Sequence, residues 1–200
     1  MDAAASHYAT PLPDDLIAVW RQVFERQQAF AEHAMKQLDD EGFFRAPGPG
    51  MNSIAIIVQH MAGNMLSRWT DFLTTDGEKP SRDRDAEFIA PEPTSSSRAA
   101  LMARWNTGWA ALSATLDALT PADLGRIVPI RSVPHPVHAA IARQLDHYAY
   151  HVGQINLIAR LIVGTDRWQW FTIAPGATSA FNAKLFAGKG VQATPSKSKS

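Results

Sequence analysis

The sequence predicts an all-α protein, an up-and-down four-helix bundle. Three observations lead there. Four long segments repeat apolar residues every three or four positions, the period of a single helix face. Breaks rich in Pro, Gly and Ser separate these segments. No alternating pattern of useful length points to a sheet, and Val128-Pro129-Ile130 reads only as a brief extended piece.

The first helix is expected over residues 14–41, with Leu16, Val19, Trp20, Val23, Phe30, Ala34 and Leu38 as its stripe. Asp14 and Asp15 suit a helix N-terminus, and Gly42 with the run Pro47-Gly48-Pro49-Gly50 ends the segment. The second is expected over 53–74, capped by Asn52 or Ser53. Its stripe is Ile54, Ile57, Val58, Met61, Met65, Trp69 and Phe72. The third covers 95–119, with Leu101, Trp105, Trp109, Leu112, Leu116 and Leu119 on one face, and Thr120-Pro121-Ala122-Asp123 reads as a stop and short turn. The fourth covers 136–163, from a Pro tolerated in a first turn to Gly164, with Ile141, Leu145, Tyr148, Val152, Ile155, Ala159 and Ile162 inward.

Helices of this kind bury their stripes only by packing on one another. The link between the second and third, residues 75–93, is long and polar. Its mixed-charge run Ser81-Arg82-Asp83-Arg84-Asp85 reads as solvated. Beyond Gly164, the aromatic segment 168–173 and the stretch 179–186 need cover, so a C-terminal extension packed on the bundle is expected. The domain reading is a flexible N-terminus over 1–13, one domain over 14–187, and a disordered Gly/Ser/Lys-rich tail over 188–200.

Composition narrows the function. A chain of 200 residues suits one domain. Lys plus Arg is 19 and Asp plus Glu is 19, so overall charge gives no reason to expect nucleic acid or an anionic membrane as partner. The chain has no cysteine, which excludes disulfides, thiolate nucleophiles and Cys-based zinc sites. Neither a signal peptide nor a run of ~18 apolar residues is read, and a cytoplasmic location is expected.

Among the seven histidines, His147 and His151 are four apart on the fourth helix and share a face one turn apart. That spacing allows two neutral imidazoles to hold one ion, and both flank the apolar stripe. His60 flanks the stripe of the second helix. Three such ligands leave coordination positions open, a catalytic rather than a structural pattern. Spacing alone leaves a second reading open, because i,i+4 His pairs arise by chance and a part-buried His commonly just bonds a carbonyl.

At these residues the chain resembles the DinB-like (YfiT-like) superfamily. Residues 52–60, ending in Gln59-His60, are similar to the family's second helix. The stretch His147-Tyr148-Ala149-Tyr150-His151-Val152-Gly153-Gln154 is similar to its HxxxHxGQ helix, and residues 172–182 look like an uncharacterised branch. The resemblance spans roughly 14–186. It implies one divalent ion, nickel or zinc, on His60, His147 and His151, and a homodimer. The function it implies is a metal-dependent small-molecule transferase, thiol S-transferase-like, or a hydrolase. Any low-molecular-weight thiol would then be a cosubstrate. The alternatives are a non-enzymatic metal- or ligand-binding stress protein and a dimerisation scaffold.

Asn64 and Arg68 follow His60 at four and eight on the same flank, as candidates to hold an anionic substrate or support the ligands. For Arg68 the simpler reading is an ion pair with Asp71 or a neighbouring helix. Gln154 either tunes the His pair or lies on the surface. Gly153 lowers helix stability, so close helix packing is expected there. Trp69, Trp105, Trp109, Trp168 and Trp170 read as core rather than pocket. His7 is assigned to the mobile terminus, His33 to a solvated face, and His135 and His138 to surface or loop. Ser179 reads as a helix cap.

Overall fold

The structure is a computed structural model that describes residues 16–187. The flexible N-terminus expected over 1–13 and the tail expected over 188–200 lie outside those residues. Among the described residues the fold is mostly helical, with six α-helices and one two-stranded sheet. In chain order these are α1 (Leu16–Met35), α2 (Asp40–Phe44), α3 (Ile54–Trp69), α4 (Ser95–Ala118), β1 (Ile127–Ile130), β2 (Val133–Pro136), α5 (Val137–Val163) and α6 (Thr178–Phe186). Among the described residues, no helix is long and apolar enough to cross a membrane. These residues divide into two units, 16–168 and 169–187, and the second contains α6.

Within the first unit, α3 packs on α4, α1 on α5, and α3 on α5. Helix α3 is enclosed: of its 16 residues, only Gln59 and Leu66 are not buried. Ser53 caps it by accepting a hydrogen bond from the Ile56 amide at 3.3 Å. It ends at Trp69 rather than near Thr74, because Thr70 is extended and Asp71 turns left-handed at φ 49°. The centre of the unit takes one aromatic from each long helix. Phe24 of α1 meets Trp69 of α3 at 5.9 Å, Trp109 of α4 at 6.5 Å and Tyr148 of α5 at 5.9 Å, edge-on or tilted. Trp69 Nε1 donates to Tyr148 Oη at 2.9 Å, and Tyr148 donates on to Asn64 Oδ1 at 3.1 Å. This relay satisfies the buried polar ends of the cluster.

Several expectations are corrected. The first helix stops at Met35, and Asp39 caps the separate short helix α2. The buried face of α1 is Ile17, Phe24, Ala31, Ala34 and Met35, whereas Leu16 is exposed, so the inward face lies about one residue away from the expected stripe. Residues 133–136 form a strand that the sequence reading lacks, paired antiparallel with β1 in the register Ile127↔Pro136 through Ile130↔Val133. The turn between the strands puts two non-glycine residues in the left-handed region, Arg131 at φ 54° and Ser132 at φ 61°. Asp76 compensates by accepting both their amides, at 2.8 and 2.6 Å.

The 75–93 link is solvated only in part: Ser81, Asp83, Arg84 and Asp85 are exposed as expected, but Arg82 and Glu87 turn inward. Gln59 Nε2 donates to the Glu87 and Ile89 carbonyls, each at 3.0 Å. Ser67 Oγ donates to the Gly77 carbonyl at 2.9 Å, and the Gly77 amide donates to Pro129 O at 2.9 Å. The bonds from Gln59 and Ser67 fold the link onto α3, and the one to Pro129 ties it to β1. The link buries the Arg82 and Glu87 side chains, 4% and 7% exposed. Gly153 has nothing within 4 Å of where a Cβ would sit, so close packing is not its reason. Ser179 lies inside α6, whose N-cap position is Ala177.

Candidate metal centre

Helix α3 supplies His60, and α5 supplies His147 and His151, one turn apart. The two helices run antiparallel. His60 lies beside the histidine pair, Asn64 meets Tyr148, and Arg68 shares an apolar crevice with Ala140 and Gln144. The three imidazoles therefore converge: His60 Nε2 is 3.3 Å and His151 Nε2 is 3.1 Å from His147 Nε2. One ligating nitrogen from each lies within 4.8 Å of the others. His60 and His151 are buried and His147 is half-buried.

Their outer partners determine where the protons sit. His60 Nδ1 is 2.8 Å from Glu87 Oε2, so the proton of neutral His60 belongs on Nδ1 and its Nε2 carries a bare lone pair. His151 Nδ1 is 2.8 Å from Gln154 Oε1, an acceptor, which likewise leaves Nε2 bare. His147 Nε2 faces both bare nitrogens and offers at most one proton between them. One of the two N···N contacts is therefore lone pair against lone pair, an arrangement a cation relieves. The spacing fits such an ion. Donors about 2.0–2.1 Å from a metal lie about 3.0 Å apart in cis-octahedral geometry and about 3.4 Å apart in tetrahedral geometry, bracketing the observed contacts.

Electrostatics keep the pair in the ligating form. Burial, with the neighbouring His151 and His60 and then Arg82 and Arg68 adding to it, lowers the His147 pKa to about 3. Burial lowers His151 to about 4, against the opposing bond to Gln154. Both are neutral at pH 7, the form a metal requires. Burial pushes the Glu87 carboxyl up, but hydrogen bonds from Arg82 and His60 more than offset this and hold it below its ordinary value. Arg82 grips Glu87 with both arms, Nε to Oε1 and Nη2 to Oε2, each at 2.7 Å. Glu87 is thus an ionised carboxylate behind a histidine, the arrangement that orients metal-ligating imidazoles. His147 Nδ1 is buried with no hydrogen-bond partner among the described residues.

The other sequence candidates are near but differently employed. Gln154 orients His151. Asn64 is buried in the Tyr148 relay. Arg68 is buried and donates to Gly77 O and to Glu78 Oε2, the latter at 2.9 Å, so its partner is Glu78 and not Asp71. Trp69, Trp105 and Trp109 belong to the core. Sequence reasoning missed Glu87 and Arg82. The only available signal was a carboxylate beside the apolar pair Phe88-Ile89 in an otherwise polar link.

Beside the triad opens a cavity of about 430 Å³, whose wall includes His60, His147, Asn64, Arg68, Arg143 and Tyr150. No curated protein matches the chain. Among solved structures, it is similar to a conserved protein from Enterococcus faecalis, at a TM-score of 0.58 and 14% identity, over 76% of this chain and 100% of that one. At that identity the likeness bears on the fold alone. The family described as "Protein of unknown function (DUF1572)" matches residues 13–177, most of the length, and the chain belongs to that family.

Proposed function

We propose that the protein binds one divalent metal ion through His60, His147 and His151, and that the fold is a DinB-like up-and-down four-helix bundle carrying this site. The observation that supports it best is the meeting of three Nε2 atoms, with contacts of 3.1 and 3.3 Å, while the Nδ1 atoms of His60 and His151 are turned to acceptors on Glu87 and Gln154. Imidazole donors suit nickel or zinc. A divalent ion there supplies Lewis-acid activation of a small nucleophile, and three protein ligands leave room for it.

The chain's own residues then have distinct tasks. Glu87 and Gln154 fix the tautomers of His60 and His151. Arg82 keeps Glu87 ionised. The adjoining cavity admits a small molecule to the triad. The reading is therefore a metal-dependent small-molecule transferase, thiol S-transferase-like, or a hydrolase, working as a cytoplasmic homodimer. Since the chain has no cysteine, a thiol comes from a low-molecular-weight cosubstrate.

Elemental analysis of the purified protein tests the core of it. We expect one nickel or zinc per chain, lost in His60→Ala, His147→Ala and His151→Ala. Metal content unaffected by all three substitutions refutes it. Metal-dependent conjugation or hydrolysis in a substrate screen, abolished in His147→Ala, separates an enzyme from a metal-binding protein without turnover.

A further inference from the structure

We propose that the cavity beside the histidine triad is an anion-binding subsite, taking a small molecule that carries a carboxylate or phosphate group. The proposal rests on the metal-centre reading for treating this cavity as the substrate site. Its own support is the distribution of charge. The chain is formally neutral, yet five arginines line this one cavity, Arg68, Arg82, Arg84, Arg131 and Arg143, and Asp146 is its only acidic lining residue. Glu78 and Glu87 stand behind them. Glu87 is committed to Arg82, and Glu78 is shared among Arg68 at 2.9 Å, Arg131 at 3.1 Å and Arg82 at 3.5 Å. Asp85 faces Arg84 at 3.9 Å and Asp76 sits on the Arg131-Ser132 amides, so nearby carboxylates match the guanidinium groups in number. What sets this wall apart is that its cations are not all committed to them.

The unspent donors are specific. Arg143 lies one turn before His147 on α5, on the same face, and makes no hydrogen bond or ion pair with any described residue. Arg68 is only 5% exposed and its Nε has no partner. Arg131 is held by the left-handed turn that Asp76 clamps, so its direction is set by the backbone as well as by Glu78. Arg84 is only loosely committed, 3.9 Å from the exposed Asp85, and lies over the Phe88 ring, 5.1 Å from its centroid; that ring in turn lies 4.7 Å from His60. Planar guanidinium forks match the paired oxygens of carboxylate and phosphate, and a partly enclosed wall strengthens each contact. The volume suits a small molecule rather than a macromolecule.

Inorganic phosphate and, separately, succinate serve as probes. Each is titrated calorimetrically, with equilibrium dialysis alongside, into metal-loaded protein freed of excess ion and into metal-free His147→Ala protein. We expect saturable one-site uptake of at least one probe, weakening as salt rises. The Arg131→Gln/Arg143→Gln variant should bind at least about tenfold more weakly with an unchanged circular dichroism spectrum. Preference for phosphate assigns a phosphorylated ligand, and preference for succinate a carboxylated one. No saturable uptake of either probe, or undiminished affinity in Arg143→Glu, overturns the proposal. The two readings fail separately: one metal per chain without anion uptake removes only the anion subsite, and arginine-dependent anion uptake by a chain that never carries metal removes only the metal centre.

Discussion

Gly63 lies on α3 three residues after His60, and replacing it with alanine tests whether Glu87 supports the histidine centre. A Cβ built at Gly63 meets Glu87 Oε1 at 2.1 Å and Cδ at 2.7 Å. Restoring an ordinary separation of about 3.5 Å requires the carboxylate to retreat by roughly 1.4 Å. The end of a glutamate normally swings away cheaply. This one is held by two 2.7 Å bonds from buried Arg82 and one 2.8 Å bond from His60, and a shift of that size breaks at least the bond to His60. Losing such a support costs about 10–100-fold in metal affinity.

Global stability is a poorer readout for this variant. The Gly→Ala gain in helix propensity, up to about 1 kcal/mol, opposes the roughly 1–3 kcal/mol of disturbed buried pairing. Metal affinity is best measured by competition with a chromophoric chelator. A double-mutant cycle isolates the route. On a Glu87→Ala background the clash is gone, and Gly63→Ala should then cost no further affinity. Gly63→Ala alone binding metal within twofold of the parent protein, or costing as much on the Glu87→Ala background, refutes the reasoning.

Two further outcomes follow from the same geometry. Tyr148→Phe removes the acceptor of Trp69 Nε1 and the donor to Asn64, and should destabilise the protein by about 1–3 kcal/mol in urea while metal stoichiometry stays at one; unchanged stability contradicts the relay. His147 and His151 are held at about 3 and about 4 when folded, against 6.5 for the free side chain, so below about pH 6.5 the unfolded chain binds more protons than the metal-free fold. Stability of the metal-free protein should therefore be highest above that pH and fall as pH drops toward about 4, and denaturant melts showing no loss across that window contradict it.

Much of the helical framework is legible in the sequence, because apolar periodicity reports which residues a helix turns inward. On α3, α4 and α5 nearly every expected stripe residue is buried. On α1 it fails by one position. Leu16, Val19, Val23 and Phe30 satisfy the period nearly as well as Ile17, Phe24 and Ala31, and only the aromatic contacts of Phe24 decide between them. The hairpin is hidden because Pro134 and Pro136 weaken the strand signal and because Arg131-Ser132 is not turn-forming chemistry until Asp76 arrives from far along the chain. The histidine pair is legible from its spacing, but the arrival of His60 depends on how α3 and α5 pair. Arg82 and Glu87 are the least legible. Charged residues in a polar link look solvated unless it is known that Gln59 and Ser67 pin that link to the helix.

The central claim is that three imidazoles share one ion, and the most direct measurement is an anomalous difference map from crystals of the protein loaded with nickel or zinc. A single peak about 2.1 Å from Nε2 of His60, His147 and His151 is the expected result. A map with no peak at that point, or with the ion held elsewhere while the three nitrogens keep to themselves, contradicts the account.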